Sequence, residues 1–272
     1  AKMTLVRKNR LLVYVLFHKH WDFIDECVES INKNLESTEF DVIIVNTSDC
    51  ESDYKRLKKT IRDFSVENIP KLLPQAVDQI YEEYLDQYEF IMRLDADDFL
   101  YEKSIKLLLQ AIDKSNNLGA VYGSWSVVDN YGREVRHVKA PFEQAGVGFH
   151  GACTLFRTES LKNLRLSDIE IDCQDGYATY IFFQMNDIKI SVVNEVIFGY
   201  RRHSFNLSSD VSRSMLNRRK ILDFFYKQIK RDDNLFRLVL IDTEASDFSH
   251  SDKKFIKDFD LINVGNGIAR NG

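Results

Sequence analysis

The sequence predicts an α/β protein in which helices cover both faces of a mostly parallel, mixed sheet. Three observations carry this. Apolar runs too short for helices, LLVYVLF at 11–17 and FIMRL at 90–94 among them, alternate with longer stretches of helical spacing from residue 11 to about 115. Such alternation is the pattern of strand–helix–strand units with a parallel sheet. Turn chemistry, Asn46-Thr47-Ser48-Asp49, directly follows the second run. The third long run ends in a cluster of carboxylates, Asp95, Asp97 and Asp98, and in an open α/β sheet the crevice outside the carboxyl ends of the strands is where ligands bind.

Leu11–Phe17 is the first strand, and Phe23, Ile24, Cys27, Val28 and Ile31 then recur at helical spacing from about Trp21 to Leu35. A strand over 41–45 and a helix over 53–64 follow. Residues 69–73 read as extended, interrupted by Pro70 and Pro74, and a helix over about 75–85 leads into the acidic strand. After a helix at about 101–115, a short strand is expected at 120–123. Asn130 to Gly132 then suit the turn of a hairpin over 126–135. Pro141, Gly146 and Gly148 make 139–149 a loop. His150 to Arg157 is the next strand, followed by a short helix at 158–163, a helix at 175–185, strands at 188–193 and 196–200, and then Arg201-Arg202-His203-Ser204.

The acidic strand end has two readings. In extended backbone, residues i and i+2 point the same way, so Asp95 and Asp97 would converge on one hard cation. Alternatively Asp97 or Asp98 caps the helix that starts near Tyr101. Capping needs one carboxylate, and three stand here.

The chain has 272 residues, 44% of them hydrophobic and 29% charged, enough for one large domain or one domain with an extension. A net charge of -5 gives no global reason to expect nucleic acid as a partner. No apolar run approaches the roughly 18 residues of a membrane span, and no signal peptide opens the chain. Cys27, Cys50, Cys153 and Cys173 lack metal-type spacing and suit reduced thiols, so a cytoplasmic location is expected. Residues 214–231 form an amphipathic helix with apolar Met215, Leu216, Ile221, Leu222, Phe224, Phe225 and Ile229 against a basic face. It suits either packing on the domain or peripheral contact with the inner face of a membrane. Residues 236–242 and 259–263 read as two more strands. The closing GNGIARNG suits either chance or the start of a second, related domain.

Taken together, the opening strand and helix ending in Glu29-Ser30-Ile31, the second strand with its acidic turn, RLDADD at 93–98, HGACTLFR at 150–157, QDGY at 174–177 and YRRHSFNLS at 200–208 resemble a family-2 glycosyltransferase of the GT-A nucleotide-sugar fold. The resemblance covers residues 11 to about 210. It implies a domain over 1–210 with a C-terminal extension over 211–272. It also implies inverting transfer of a sugar from a nucleotide-diphosphate donor to a hydroxyl of a glycan or lipid-linked acceptor, as in polysaccharide biosynthesis. Cleaving the donor builds negative charge on phosphate oxygens, which a cation, Mn2+ or Mg2+, would neutralise.

Carried over residue by residue, the resemblance makes Asp95 and Asp97 ribose and metal contacts, with Asp97 the direct ligand and His203 a further metal or phosphate contact. Arg93 joins the donor site, and Arg201 and Arg202 are candidates to grip phosphate. Asp175 is the candidate base that takes the acceptor's proton; relatives usually carry Glu-Asp where this chain has Gln174-Asp175. The turn Asn46-Thr47-Ser48-Asp49 replaces the Asp-Asp-Gly-Ser of many relatives, which leaves Asn46 and Asp49 as candidates for the nucleotide and the base unassigned. His18 falls in the family's base-binding loop. Asp78 stands where relatives carry an Ala-Arg-Asn string. Two other functions remain open on the same fold. A sugar nucleotidyltransferase would want a glycine-rich basic loop after the first strand, and VLFHKH has no glycine. A non-catalytic sugar-binding module would have no use for Asp95, Asp97, Asp175 and His203 together.

Overall fold

A computed structural model describes residues 9–140, 150–203, 206 and 210–229, together with the antiparallel pair Val264–Gly265 and Ile268–Ala269. The α/β expectation holds. Strands β1 (Leu11–Phe17), β2 (Asp41–Asn46), β3 (Ser65–Asn68) and β4 (Phe90–Asp95) are parallel in the order β3-β2-β1-β4, joined by helices α1 (Ile24–Leu35), α2 (Glu51–Thr60) and α3 (Leu73–Tyr84). Next come β5 (Phe99–Leu100), α4 (Ser104–Ile112), β6 (Leu118–Val128), β7 (Glu134–Val138), β8 (Leu155–Arg157), α5 (Asp175–Met185), β9 (Lys189–Arg201) and α6 (Val211–Ile229). The nine-stranded sheet continues from β4 through β8, β6 and β9 to β5, with β7 also on β6. This second half is mixed: β8 is antiparallel to both β4 and β6, whereas β6 and β9 are parallel.

Alternation along the strands builds two cores. Val13, Val15, Ile44, Met92 and Leu94 face α1, α2 and α4 through Ile31, Leu57 and Leu108. Leu12, Tyr14, Ile43 and Ile91 face α3, α5 and α6 through Ile80, Ile181 and Phe225. Each fully buried aliphatic side chain contributes about 1.5–3 kcal/mol, so the central strands are anchored from both sides. Helix α6 buries Ser214, Asn217, Ile221 and Phe225, a spacing that puts one stripe against the body.

Several elements differ from expectation for physical reasons. The extended segment at 69–73 is not strand; β3 lies just before it, at 65–68. Pro74 sits inside the first turn of α3, where a missing N–H costs nothing. The separate strands expected at 120–123 and 126–128 are one strand, because buried Ser124 and Ser126 find partners at the Ala140 N–H (2.9 Å) and Glu134. Those expected at 188–193 and 196–200 are likewise one. The exposed Asn194 and Glu195 that break its apolar pattern are extra residues in a bulge, since Val193 pairs with Gly123 and Val196 with Ser124. Only 155–157 of the 150–157 run is strand. Within the loop 139–149, residues 141–149 lie outside the described residues, as do 236–242 and 259–263.

Candidate active site

The chain leaves β1 for β2 and β3 on one side, then returns to β4 on the other. The carboxyl ends of β1 and β4 therefore flank a topological switch point, the place where open α/β sheets bind their ligands. Around it stand the loops after β1 and β2, the turn after β4, the first turn of α5 and the end of β9.

Beyond Asp95 the backbone is not extended. The Ala96 N–H bonds Leu16 O (3.0 Å) and the Asp98 N–H bonds Asp95 O (3.0 Å), so a tight turn sends the three carboxylates to three destinations. The expected convergence of Asp95 and Asp97 by i, i+2 alignment is therefore not what the turn produces. Asp97 Oδ2 lies 2.9 Å from His203 Nε2 and 3.3 Å from Asn206 Nδ2. Burial pushes the Asp97 carboxyl up, but the His203 bond and the neighbouring His20 outweigh it and hold the group below its ordinary value. The potential ligand atoms of His20, Asp97 and His203 all lie within 4.8 Å of one another.

Asp95 instead faces Arg93. The guanidinium, 5% exposed on β4, has Nε 3.0 Å from Asp95 Oδ1, a charge contact without hydrogen-bond alignment, and donates from its terminal nitrogen to Asp175 Oδ2 at 2.5 Å. Burial, partly offset by Arg93, pushes Asp95 up to about 6. Arg93 thus joins a strand-end carboxylate to the first residue of α5. Tyr14 and Tyr81, both buried and bonded to each other, lie near enough to Arg93 and Asp175 to feel their charge. Two glycines let the helix come this close: a Cβ on Gly176 would stand 2.4 Å from Gly151 N, and one on Gly151 would stand 2.8 Å from Asp175 Oδ2. Next to them, His150 is enclosed by the rings of Trp125, Phe198 and Tyr200. Burial and the Arg93 charge lower its pKa to about 4.

Asp98 is structural. One oxygen accepts the Arg201 N–H at 2.8 Å, and burial beside Asp97 and Asp95 pushes its carboxyl well up. Arg201, expected to be available to phosphate, is 1% exposed and committed elsewhere. It donates to Asp97 O (2.9 Å), Asp129 O and Asn130 O (both 3.0 Å), pairs with Glu26 and lies over the Phe23 ring. Arg202 is exposed, 6.0 Å from the Tyr200 ring.

The remaining candidates separate in the same way. His18 is exposed, with Nδ1 3.2 Å from Thr47 Oγ1. Asn46 is fully buried and organises its loop, donating to Ser48 O (3.0 Å) and Asn68 Oδ1 (2.8 Å). Asp49 is exposed, 3.6 Å from Lys19 Nζ. Asp78 is not at the crevice surface: its two oxygens accept the N–H groups of Leu166 (2.9 Å) and Ser167 (2.8 Å), tying α3 to the turn at 167–169. Sequence reasoning missed His20 and His150. The signal for His20 was its place in the loop directly after the first strand; His150 opens a run that reads as strand, and only the structure puts it in a loop.

The family model described as glycosyl transferase family 2 matches residues 12–187. Among solved structures, the chain is similar to S. aureus TarS 1-349 in complex with UDP-GlcNAc, at 16% identity and a TM-score of 0.55, covering 79% of this chain and 67% of that one. It is also similar to the mannosyltransferase PcManGT from Pyrobaculum calidifontis in complex with GDP-Man and Mn2+, at 15% identity and a TM-score of 0.58, covering 82% and 65%. Against S. aureus TarS without that truncation, at 14% identity and a TM-score of 0.53, the coverage is 79% and 40%. At these identities the likeness is one of fold, and the chain spans about two fifths to two thirds of these neighbours' lengths. No curated protein sequence matches it.

Proposed function

The chain belongs to glycosyl transferase family 2, and from that premise we propose that it moves a sugar from a nucleoside-diphosphate donor to a hydroxyl of a glycan or lipid-linked acceptor, inverting the anomeric carbon and requiring a divalent cation. The observation that carries this is the meeting, at one end of the sheet, of Asp97 with His203 and of Arg93 with both Asp95 and Asp175. The bound nucleotides in TarS and PcManGT, and the Mn2+ in the latter, support a nucleotide-sugar donor and a cation here.

The donor set fits a divalent ion: a carboxylate oxygen and an imidazole nitrogen meet beyond the carboxyl end of β4, and a bound ion would complete its coordination with ligand oxygens. Asp97 and His203 would hold the ion, which when bound offsets the charge that develops on the departing diphosphate. Asp95 is assigned to the donor's ribose, and Arg93 fixes its carboxylate and that of Asp175 relative to each other. Asp175 takes the acceptor's proton as its oxygen attacks the anomeric carbon. His18, Asn46 and Asp49 border the side where the base would lie, and Arg202 is the exposed cation nearest the end of β9. Asp78 supports the site through the turn at 167–169. We assign this activity to residues 1–210, with 211–272 as an extension. No helix of the described residues is long and apolar enough to cross a membrane. A membrane-bound acceptor would be met through the exposed Leu216, Arg219, Lys220 and Lys227 of α6.

Nucleoside diphosphates are expected to raise the melting temperature in the presence of Mn2+ and to lose that effect in EDTA. Asp97→Ala should abolish the metal-dependent shift while retaining the cooperative melt. Equal shifts in variant and parent, with and without EDTA, would overturn the cation assignment.

A further inference from the structure

We propose that His20 is a third ligand of the cation at Asp97 and His203, making a centre of two imidazoles and one carboxylate that takes a transition-metal dication in preference to Mg2+. The proposal rests on the donor reading for the purpose of the cation, whereas cation binding itself is measured separately. Lys19 adopts a left-handed conformation (φ 63°), which turns the loop after β1 back toward the crevice. The carbonyl of His20 then accepts the N–H groups of Phe23 and Ile24, both at 3.2 Å, so its backbone is fixed where α1 begins. Its ring centroid lies 5.6 Å from that of His203, and the His203 ring is itself stacked on Phe23 at 5.3 Å and 26°. One short segment, 20–23, therefore supplies one imidazole and orients the other.

Distances and chemistry agree. Opposite donors around an ion with bonds of about 2.1 Å lie about 4.2 Å apart. Neighbouring donors lie closer, about 3.0–3.4 Å apart. Asp97 Oδ2 and His203 Nε2 already stand at 2.9 Å, and all three ligand atoms lie within 4.8 Å of one another, so a rotation of the His20 side chain inward completes the set. Mg2+ prefers oxygen donors in near-ideal octahedral geometry, whereas affinity for imidazole rises along the first-row dications from Mn2+ to Cu2+, so Mn2+ marks the low end of the expected preference over Mg2+. Two imidazole nitrogens therefore bias the site, and three protein ligands still leave positions for phosphate oxygens.

The test uses the full chain, stripped of metal and free of nucleotide, titrated with Mn2+ and followed by electron paramagnetic resonance, with Mg2+ as competitor. His20→Ala is expected to bind Mn2+ about 10- to 100-fold more weakly, the loss typical even of removing a partner that only orients a ligand. His20→Phe keeps an aromatic ring against His203 without a nitrogen donor and should lose as much. Pulsed measurements should show two imidazole nitrogen couplings on Mn2+ in the parent and one in each variant. Parent-like affinity and couplings in both variants would overturn the proposal, as would a parent that binds Mg2+ as tightly as Mn2+. If Asp97→Ala loses Mn2+ while both His20 variants keep it, the donor reading stands and His20 alone falls. If the parent binds no Mn2+, both fall.

Discussion

Asp175 and Arg93 form the contact on which the proposed chemistry turns, since a carboxylate at a helix start is placed by a buried arginine from a neighbouring strand. Asp175→Asn keeps the shape and removes the proton acceptor. It should lower transfer by about 10²–10⁴ while leaving nucleotide binding intact, and the parent's product, examined by NMR, should carry the opposite anomeric configuration to the donor. Near-normal turnover in Asp175→Asn, or a retained configuration, would remove the base assignment. His150 supplies a pH dependence. Its folded pKa of about 4 is below the ordinary value of 6.5, so below pH 6.5 the unfolded chain binds this proton first. Stability is then full above about 6.5 and falls as pH drops toward 4, by about 1–3 kcal/mol from this group. His150→Asn keeps an acceptor for the Ala152 N–H (3.2 Å in the parent) without the titration, and should flatten urea midpoints compared between pH 7 and pH 5. The sequence singles out Asp97, His203 and Asp175 one by one because each lies in a motif at a strand end or helix start, and the fold then sets Asp97 against His203 and Asp175 against Arg93. His20 was not legible in this way, because its partners come from residues 97 and 203 and only the sheet order brings them together. Arg201 misled for the same reason: nothing local shows that its fork is spent on carbonyls of a hairpin and a turn.

Strands and helices set how tightly that chemistry is held. Helix α5 meets the loop before β8 through Gly151 and Gly176, so backbone touches backbone beside Asp175. Gly176→Ala should cost about 1–3 kcal/mol by overpacking, read as a lower denaturation midpoint, together with a loss of transfer larger than the loss of nucleotide binding. An unchanged midpoint would show that the helix can draw back freely. Most element types and many ends were readable from period and length, β1 and α5 to the residue. The misreadings cluster where polar residues sit in strands. Ser124 and Ser126 are buried with partners, and Asn194 and Glu195 are looped out in a bulge; a one-dimensional pattern cannot separate these cases from a strand end.

The molecule as one folded body extends through α6. Ile221 and Phe225 complete the core made by α3 and α5, and Asp172 bonds both Arg213 and Asn217 of the helix. Ending the chain after residue 210 should therefore cost about 3–6 kcal/mol from those two apolar side chains. Ending it after Arg231 should leave the melting temperature nearly unchanged if 232–272 belong to another unit. A large loss from the shorter deletion would join the tail to this body. The antiparallel insertion of β8 has a different consequence, one of time. β4 is paired with β1 on one side, but its other neighbour lies about sixty residues further along the chain. At synthesis rates of roughly 5–20 residues per second, the apolar FIMRL edge stays without its partner for about 3–12 s. Throughout that interval its unpaired N–H and C=O groups can template the edge of another nascent chain. Neighbouring nascent chains on one messenger thus present the same open edge to one another until Arg157 emerges, and slowing synthesis between β4 and β8 should lower the soluble yield if that edge is the route to self-association.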